Sequence, residues 1–175
     1  SEMCIRDSPR SNYRCGFTEL IKKKITTEDE AFVVEANPKN ISKLRECYKN
    51  FKNVNIFNYA INYDNSNLCE FFFTQDDAPH YHVCSIDINH VKKHYPNSVI
   101  ESFKVKGLNI NEFFSKYVGE KIDYLSIDLE GIDYEVMMKI DLSKFQIVNI
   151  SIEHIHLNKA QKKNMVSHLN KNGYS

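Results

Sequence analysis

Between residues 31 and 153 the sequence alternates short apolar runs with amphipathic helical segments, and each change is marked by its own local signal. AFVVE (residues 31–35) is an apolar run closed by an acid and followed by Asn-Pro. Paired valines in so short a run read as a strand buried on both faces of a parallel sheet. Asn37 is placed to cap the next helix. Pro38 suits its first position, because proline has no amide hydrogen to leave unsatisfied there. Ile41, Leu44, Tyr48 and Phe51 then recur at three- and four-residue steps, which gives that helix one apolar face.

The same grammar continues along the chain. VNIFN (54–58), residues 67–73, IDYLSID (122–128) and IVNISIE (147–153) read as further strands. FTELIKKK (17–24) has helical spacing, Asn109 with Glu112 forms a capping-box start that Gly119 ends, and a helix runs through Val136, Met137 and Ile140. Asn158 with Gln161 opens a last helix that Gly173 closes. Residues 74–102 contain Pro79 and Pro96 and hold no sustained period, so they are expected to lie irregularly over a substrate entrance. Strands alternating with helices predict an α/β domain with a mostly parallel sheet covered on both faces. Residues 1–8, SEMCIRDS, show neither helical nor strand period. They are set aside as an assembly artefact, leaving residues 9–175 as a partial domain truncated at both ends.

Charge and cysteine usage narrow the function classes. Lys and Arg together number 23, as do Asp and Glu, so the formal net charge is zero. The basic residues are spread out, which argues against nucleic acid as the main partner. No run approaches the ~20 apolar residues that span a bilayer, so no membrane partner is expected. The five cysteines are scattered without a Cys-x-x-Cys pair, which fits a reducing compartment and a cytoplasmic location.

In an open parallel sheet, ligands bind beyond the carboxyl ends of the strands. The polar residues at those ends are Glu35, Asn58, Asp128, Glu130, Glu153 and His154. Glu35 can accept both hydroxyls of a ribose, or it can serve as a partner to the following helix dipole. Gly16 lies nineteen residues upstream, near the usual separation between a glycine turn and its ribose acid, yet the chain holds no G-x-G-x-x-G. Asp128, Glu130 and Asp133 place three carboxylates in six residues, which a cation, a substrate ammonium or hydroxyl, or a raised pKa would have to compensate. Alternatively an Asp caps the next helix and its neighbours are solvated. His154 and His156 follow the last strand on one side of it, a weak acid/base or metal signal. No strict metal-ligand spacing is present, and no metal site is assigned.

VVEANPKN (33–40), NVNIFNYAI (53–61), IDYLSIDLEGIDYEVM (122–137) and the IEH…LNKNGY tail together resemble the FkbM family of methyltransferases, in order and spacing from about residue 13 onward. The resemblance implies a Rossmann-like methyltransferase fold, S-adenosyl-L-methionine as cofactor, and O-methylation of a small-molecule or sugar hydroxyl. It implies that Glu35 holds the cofactor ribose and that Asn58, Ala60 and Ile61 lie along the adenine. Asp128 and Glu130 would match the D-x-E-G element near the methyl group and substrate, and His154 the histidine after the next strand. Asp128 or His154 would take the acceptor proton. The glycine-rich first motif is absent, so the chain as it stands is expected to be impaired in cofactor binding. Leu129 and Ile132 also depart from the smaller or β-branched residue and the aromatic residue expected there. Two other readings stay open: a metal-dependent sugar-nucleotide transferase using Asp128, Glu130 and His154, and a non-catalytic Rossmann-like binding module.

Overall fold

The computed structural model describes residues 2–5, 26–78, 81, 83–129, 131–155 and 157–175. Among these residues the order is β1 (Glu2–Ile5), β2 (Ala31–Val34), α1 (Pro38–Cys47), β3 (Val54–Phe57), β4 (Ala60–Asn62) and β5 (Leu68–Phe73). A 3-10 turn (Gln75–Asp77), α2 (Ile88–His94), β6 (Glu101–Asn109) and α3 (Ile110–Phe113) follow, the last running on as π-helical turns over Phe114–Val118. Then come β7 (Lys121–Ile127), α4 (Asp133–Met137), β8 (Gln146–Ile152) and α5 (Lys159–Lys171). The helix expected over residues 17–24 and the loop around Gly16 lie outside the described residues.

The main sheet has five strands in the order β3-β2-β1-β7-β8. Every neighbouring pair in it is parallel. Residues 2–5, which carry no strand period, nevertheless form its central strand, with Cys4 in register with Val33 on one side and Ser126 on the other.

The expectation of one mostly parallel sheet needs a correction, because three strands form a second, mixed sheet in the order β4-β6-β5. β4 runs parallel to β6, and β5 antiparallel to it. Only Asn58 and Tyr59 separate β3 from β4. A parallel neighbour in the same sheet needs a crossover of a dozen or more residues, so β4 must leave the main sheet. The chain is therefore mixed α/β, with two small sheets rather than one broad one.

Alternation along β2 divides its side chains between two cores. Ala31 and Val33 pack with Ile41, Leu44 and Tyr48 on the α1 side. Phe32 and Val34 face Ile110, Phe113, Phe114, Val136 and Met137 on the other. Successive strand residues point to opposite faces, so helices cover the sheet from both sides as the sequence pattern predicts. Leu44 is fully buried, and burying such a side chain stabilises the fold by about 1.5–3 kcal/mol.

The helix starts fall at the expected residues, although the box expected between Asn109 and Glu112 does not form. Asn37 accepts the Lys39 backbone N–H at 3.0 Å, with Pro38 in the first turn. Asn109 accepts the Asn111 N–H at 2.9 Å. Asn158 and Gln161 close a reciprocal capping box at 2.9 and 3.0 Å. No helix among the described residues is long and apolar enough to cross a membrane.

Candidate active site

Because the main sheet is parallel, the carboxyl ends of β2, β3, β7 and β8 share one edge, and the polar residues that follow them gather there. Glu35 comes directly after β2 and is only 4% exposed. Its Oε1 accepts the Asn37 backbone N–H at 2.7 Å, and its Oε2 accepts the Asn40 side-chain N–H at 3.3 Å. The carboxylate thus sits against the amino end of α1, where the helix dipole favours negative charge.

Glu35 lines a pocket enclosing about 530 Å³ of space open to solvent. Asn37 and Asn40 of the α1 start share that wall. Apolar residues make up much of the rest: Tyr59, Ala60 and Ile61 from the β3–β4 junction, Phe71 of β5, and Leu129 and Ile132 from the turn after β7. Tyr81, Cys84 and Ile86 complete it, so the segment without a period does contribute to the cavity. That segment is more regular than its composition suggests. Asp87 caps α2, and buried Asp77 accepts the Val83 N–H at 2.7 Å and the Tyr95 hydroxyl at 3.0 Å.

Asn58 does not line the pocket. Its side-chain amide donates to the backbone carbonyls of Glu35 at 2.8 Å and Ala36 at 2.9 Å, tying the β2–α1 loop to the β3–β4 loop. Tyr59, beside it, is held by Tyr117, their phenol oxygens lying 3.1 Å apart. The hydrogen bond with Tyr117 raises the Tyr59 pKa, with burial adding to the effect. The same hydrogen bond lowers that of Tyr117, helped by Lys116.

The acidic turn resolves into parts with different roles. Asp133 is 2% exposed, and its carboxylate accepts the backbone N–H groups of Leu129 at 2.8 Å and Gly131 at 3.2 Å. Gly131 has φ +118°, a conformation that side-chain-bearing residues rarely adopt. Asp128 is half-buried at the end of β7. Glu130 lies outside the described residues, as does His156. Beyond β8, Glu153 is half-buried and His154 is exposed, and neither lines the pocket. Among the described residues no group of three His, Cys, Asp or Glu side chains is arranged to hold a metal ion.

Across residues 14–175 the chain matches the methyltransferase FkbM domain. It belongs to the FkbM methyltransferase family. Neither the curated proteins nor the solved structures contain a match to it. Methyl transfer is the activity of this family.

In this FkbM domain, Glu35, Ala60 and Ile61 meet in one cavity although 25 residues separate the first from the second. Asn58 supports that cavity from outside, Asp128 stands next to pocket-lining Leu129, and His154 stands apart. Sequence reasoning missed Asn40, Tyr59, Phe71, Tyr81, Cys84 and Ile86. Asn40 had a signal, since it follows Asn37 by three residues and lies on the same side of the helix. The others depend on how the second sheet folds over the first, which no local pattern encodes.

Proposed function

We propose that this FkbM domain binds S-adenosyl-L-methionine in the pocket beyond β2 and transfers its methyl group to a hydroxyl oxygen of a small-molecule or carbohydrate acceptor. The observation that carries the reading is the convergence of Glu35, Ala60 and Ile61 in one cavity, an acid within a largely apolar lining. The all-parallel β3-β2-β1-β7-β8 order supports a Rossmann-like methyltransferase fold with its ligand at the carboxyl edge.

The donor set fits such a cofactor. Glu35 lines the pocket where the ribose hydroxyls would bind, while Asn37 Nδ2 and Asn40 Oδ1 are buried with no protein partner among the described residues. Ala60 and Ile61 line the pocket and would hold the apolar purine. Asn58 keeps the Glu35 backbone in place. When bound, the cofactor supplies a methyl carbon made electrophilic by its positively charged sulfur. Asp128, half-buried and adjacent to Leu129, is better placed than exposed His154 to take the acceptor proton. Leu129 and Ile132 shield the cavity from water on that side.

The test is a ligand-observed NMR titration of the full chain with S-adenosylhomocysteine, suited to the weak affinity expected of a sequence without G-x-G-x-x-G. Binding should be measurable and should fall at least about tenfold in Glu35→Gln, which loses the charge-assisted hydrogen bonds to ribose. Equal affinity in a variant that melts like the parent chain would remove the ribose assignment.

A further inference from the structure

The lining of the Glu35 pocket is drawn from separate parts of the fold. Glu35, Asn37 and Asn40 belong to the end of β2 and the start of α1, whereas Tyr81, Cys84 and Ile86 come from the segment between β5 and α2. That segment is tied to β5, where Phe72 and Ser85 exchange backbone hydrogen bonds of 2.7 and 3.1 Å. Tyr81 meets α1 at Lys39.

Lys39 stands in the first turn of α1, a poor place for a cation, because the amino end of a helix already carries partial positive charge. Aromatic rings receive it instead. Its Nζ lies 4.1 Å from the centre of the Phe73 ring and 4.7 Å from that of Tyr81. The two rings stand at 80° to each other with centroids 5.7 Å apart, so the ammonium occupies the corner between them. It also donates to the Tyr81 hydroxyl at 3.4 Å, and that hydroxyl donates to Gln75 Oε1 at 3.1 Å. Phe73 is buried, which makes it a fixed anchor. Tyr81 has φ +52°, a region that bulky residues rarely enter unless their surroundings hold them there. Its backbone N–H donates to the Asp77 carbonyl at 2.9 Å, and the Asp77 carboxylate accepts the Val83 N–H at 2.7 Å.

We infer that Lys39 is a positioning residue of the cofactor pocket: its ammonium latches Tyr81 into the pocket wall, and the latch sets how long a bound ligand is retained. This deepens the methyltransferase reading and rests on it for the identity of that ligand. Lys39 is exposed and is not among the residues that line the pocket, so it acts through Tyr81. A cation held by ring faces at an exposed site gives a modest hold. That is enough to bias Tyr81 toward the wall and weak enough to release it when ligand enters or leaves.

The experiment compares the isotope-labelled full chain with Lys39→Met, which keeps the stem and removes the charge, and Lys39→Arg, which keeps a cation that stacks on rings. Without ligand, amide exchange at Tyr81 and Val83 should quicken about three- to tenfold in Lys39→Met. Exchange at Leu125 in β7 should stay unchanged, which separates local opening from a loss of overall stability. With S-adenosylhomocysteine, NMR line shapes should show dissociation faster by the same factor and association no slower. Lys39→Arg should stay within about twofold of the parent chain in both measurements. Unchanged exchange at Tyr81 and Val83, quickening that extends equally to Leu125, or no rescue by arginine would overturn the latch. So would weaker binding in Lys39→Met that comes from slower association alone, or a dissociation rate that does not change. Local quickening with arginine rescue in a chain that does not bind S-adenosylhomocysteine upholds the grip on Tyr81 and brings down the cofactor reading. S-adenosylhomocysteine binding with identical kinetics in all three chains does the reverse.

Discussion

Asp133 Oδ1 lies 2.8 Å from the backbone nitrogen of Leu129, so the last acid of the turn after β7 holds the turn closed from inside. The same carboxylate reaches the Gly131 N–H at 3.2 Å. What reads in sequence as a cluster of competing charges is partly a backbone clamp. Asp133→Ala should lower stability by about 2–3 kcal/mol, because it strands two donors beside a buried site. Urea denaturation measures this, and a loss below ~0.5 kcal/mol, typical of an inert surface position, would show that the clamp is unimportant.

Gly107 is the second structural pivot. A Cβ built there would stand 1.9 Å from the Ser66 backbone carbonyl, and backbone cannot swing aside as a flexible side chain can. Gly107→Ala should therefore destabilise the chain by about 1–3 kcal/mol, as overpacking does. It should also displace the 62–69 loop, visible as amide shifts in Asn62 and Cys69. A variant with parental stability and an unshifted loop would contradict the close approach.

Asn58→Ala should act on the pocket without touching it. Two hydrogen bonds to the carbonyls of Glu35 and Ala36 disappear, but Asn58 is exposed and water can replace them. The expected cost is about 1 kcal/mol. Amide exchange in residues 35–40 should quicken, with weaker S-adenosylhomocysteine binding as a consequence. Unchanged exchange there would show that the tie between the two loops carries no load.

The Tyr59–Tyr117 pair predicts a pH signature. The hydrogen bond between them makes Tyr117 ionise more readily than an ordinary tyrosine, with Lys116 adding to the effect, whereas Tyr59 resists ionisation. An ultraviolet titration should show one of the ten tyrosines ionising early. Tyr117→Phe should abolish that early step and return Tyr59 toward ~10, since its principal hydrogen-bond partner is gone. An unaltered titration curve in Tyr117→Phe would refute the assignment.

Much of the framework was legible because its signals are local. Asn37-Pro38 and Asn158 with Gln161 announce helix starts through residues within four positions of each other, and both starts form. β6 was missed because Lys104 and Lys106 interrupt its apolar residues and Gly107 weakens the strand signal, while its pairing with β5 and β4 supplies what propensity lacks. α2 was hidden inside a stretch whose prolines and histidines suggested irregularity, although Asp87 caps it. Within the candidate site, Glu35 was legible as a strand-end acid, and Ala60 and Ile61 through the resemblance. Asn58 was placed beside the adenine but is bonded to backbone 22 and 23 residues away.

By itself the sequence determined which segments become buried strands and capped helices, and where the acids fall along the chain, since periodicity and capping depend on near neighbours. Its ordered motifs also carried the family. The tertiary structure alone decided that β4 leaves the main sheet, that residues 2–5 occupy the centre of it, and that Asp133 turns inward. It also decided that Glu35, Ala60 and Ile61 line one pocket. Those outcomes depend on crossover length, on which strand edge is left to pair, and on contacts between residues tens of positions apart, none of which a local pattern can express.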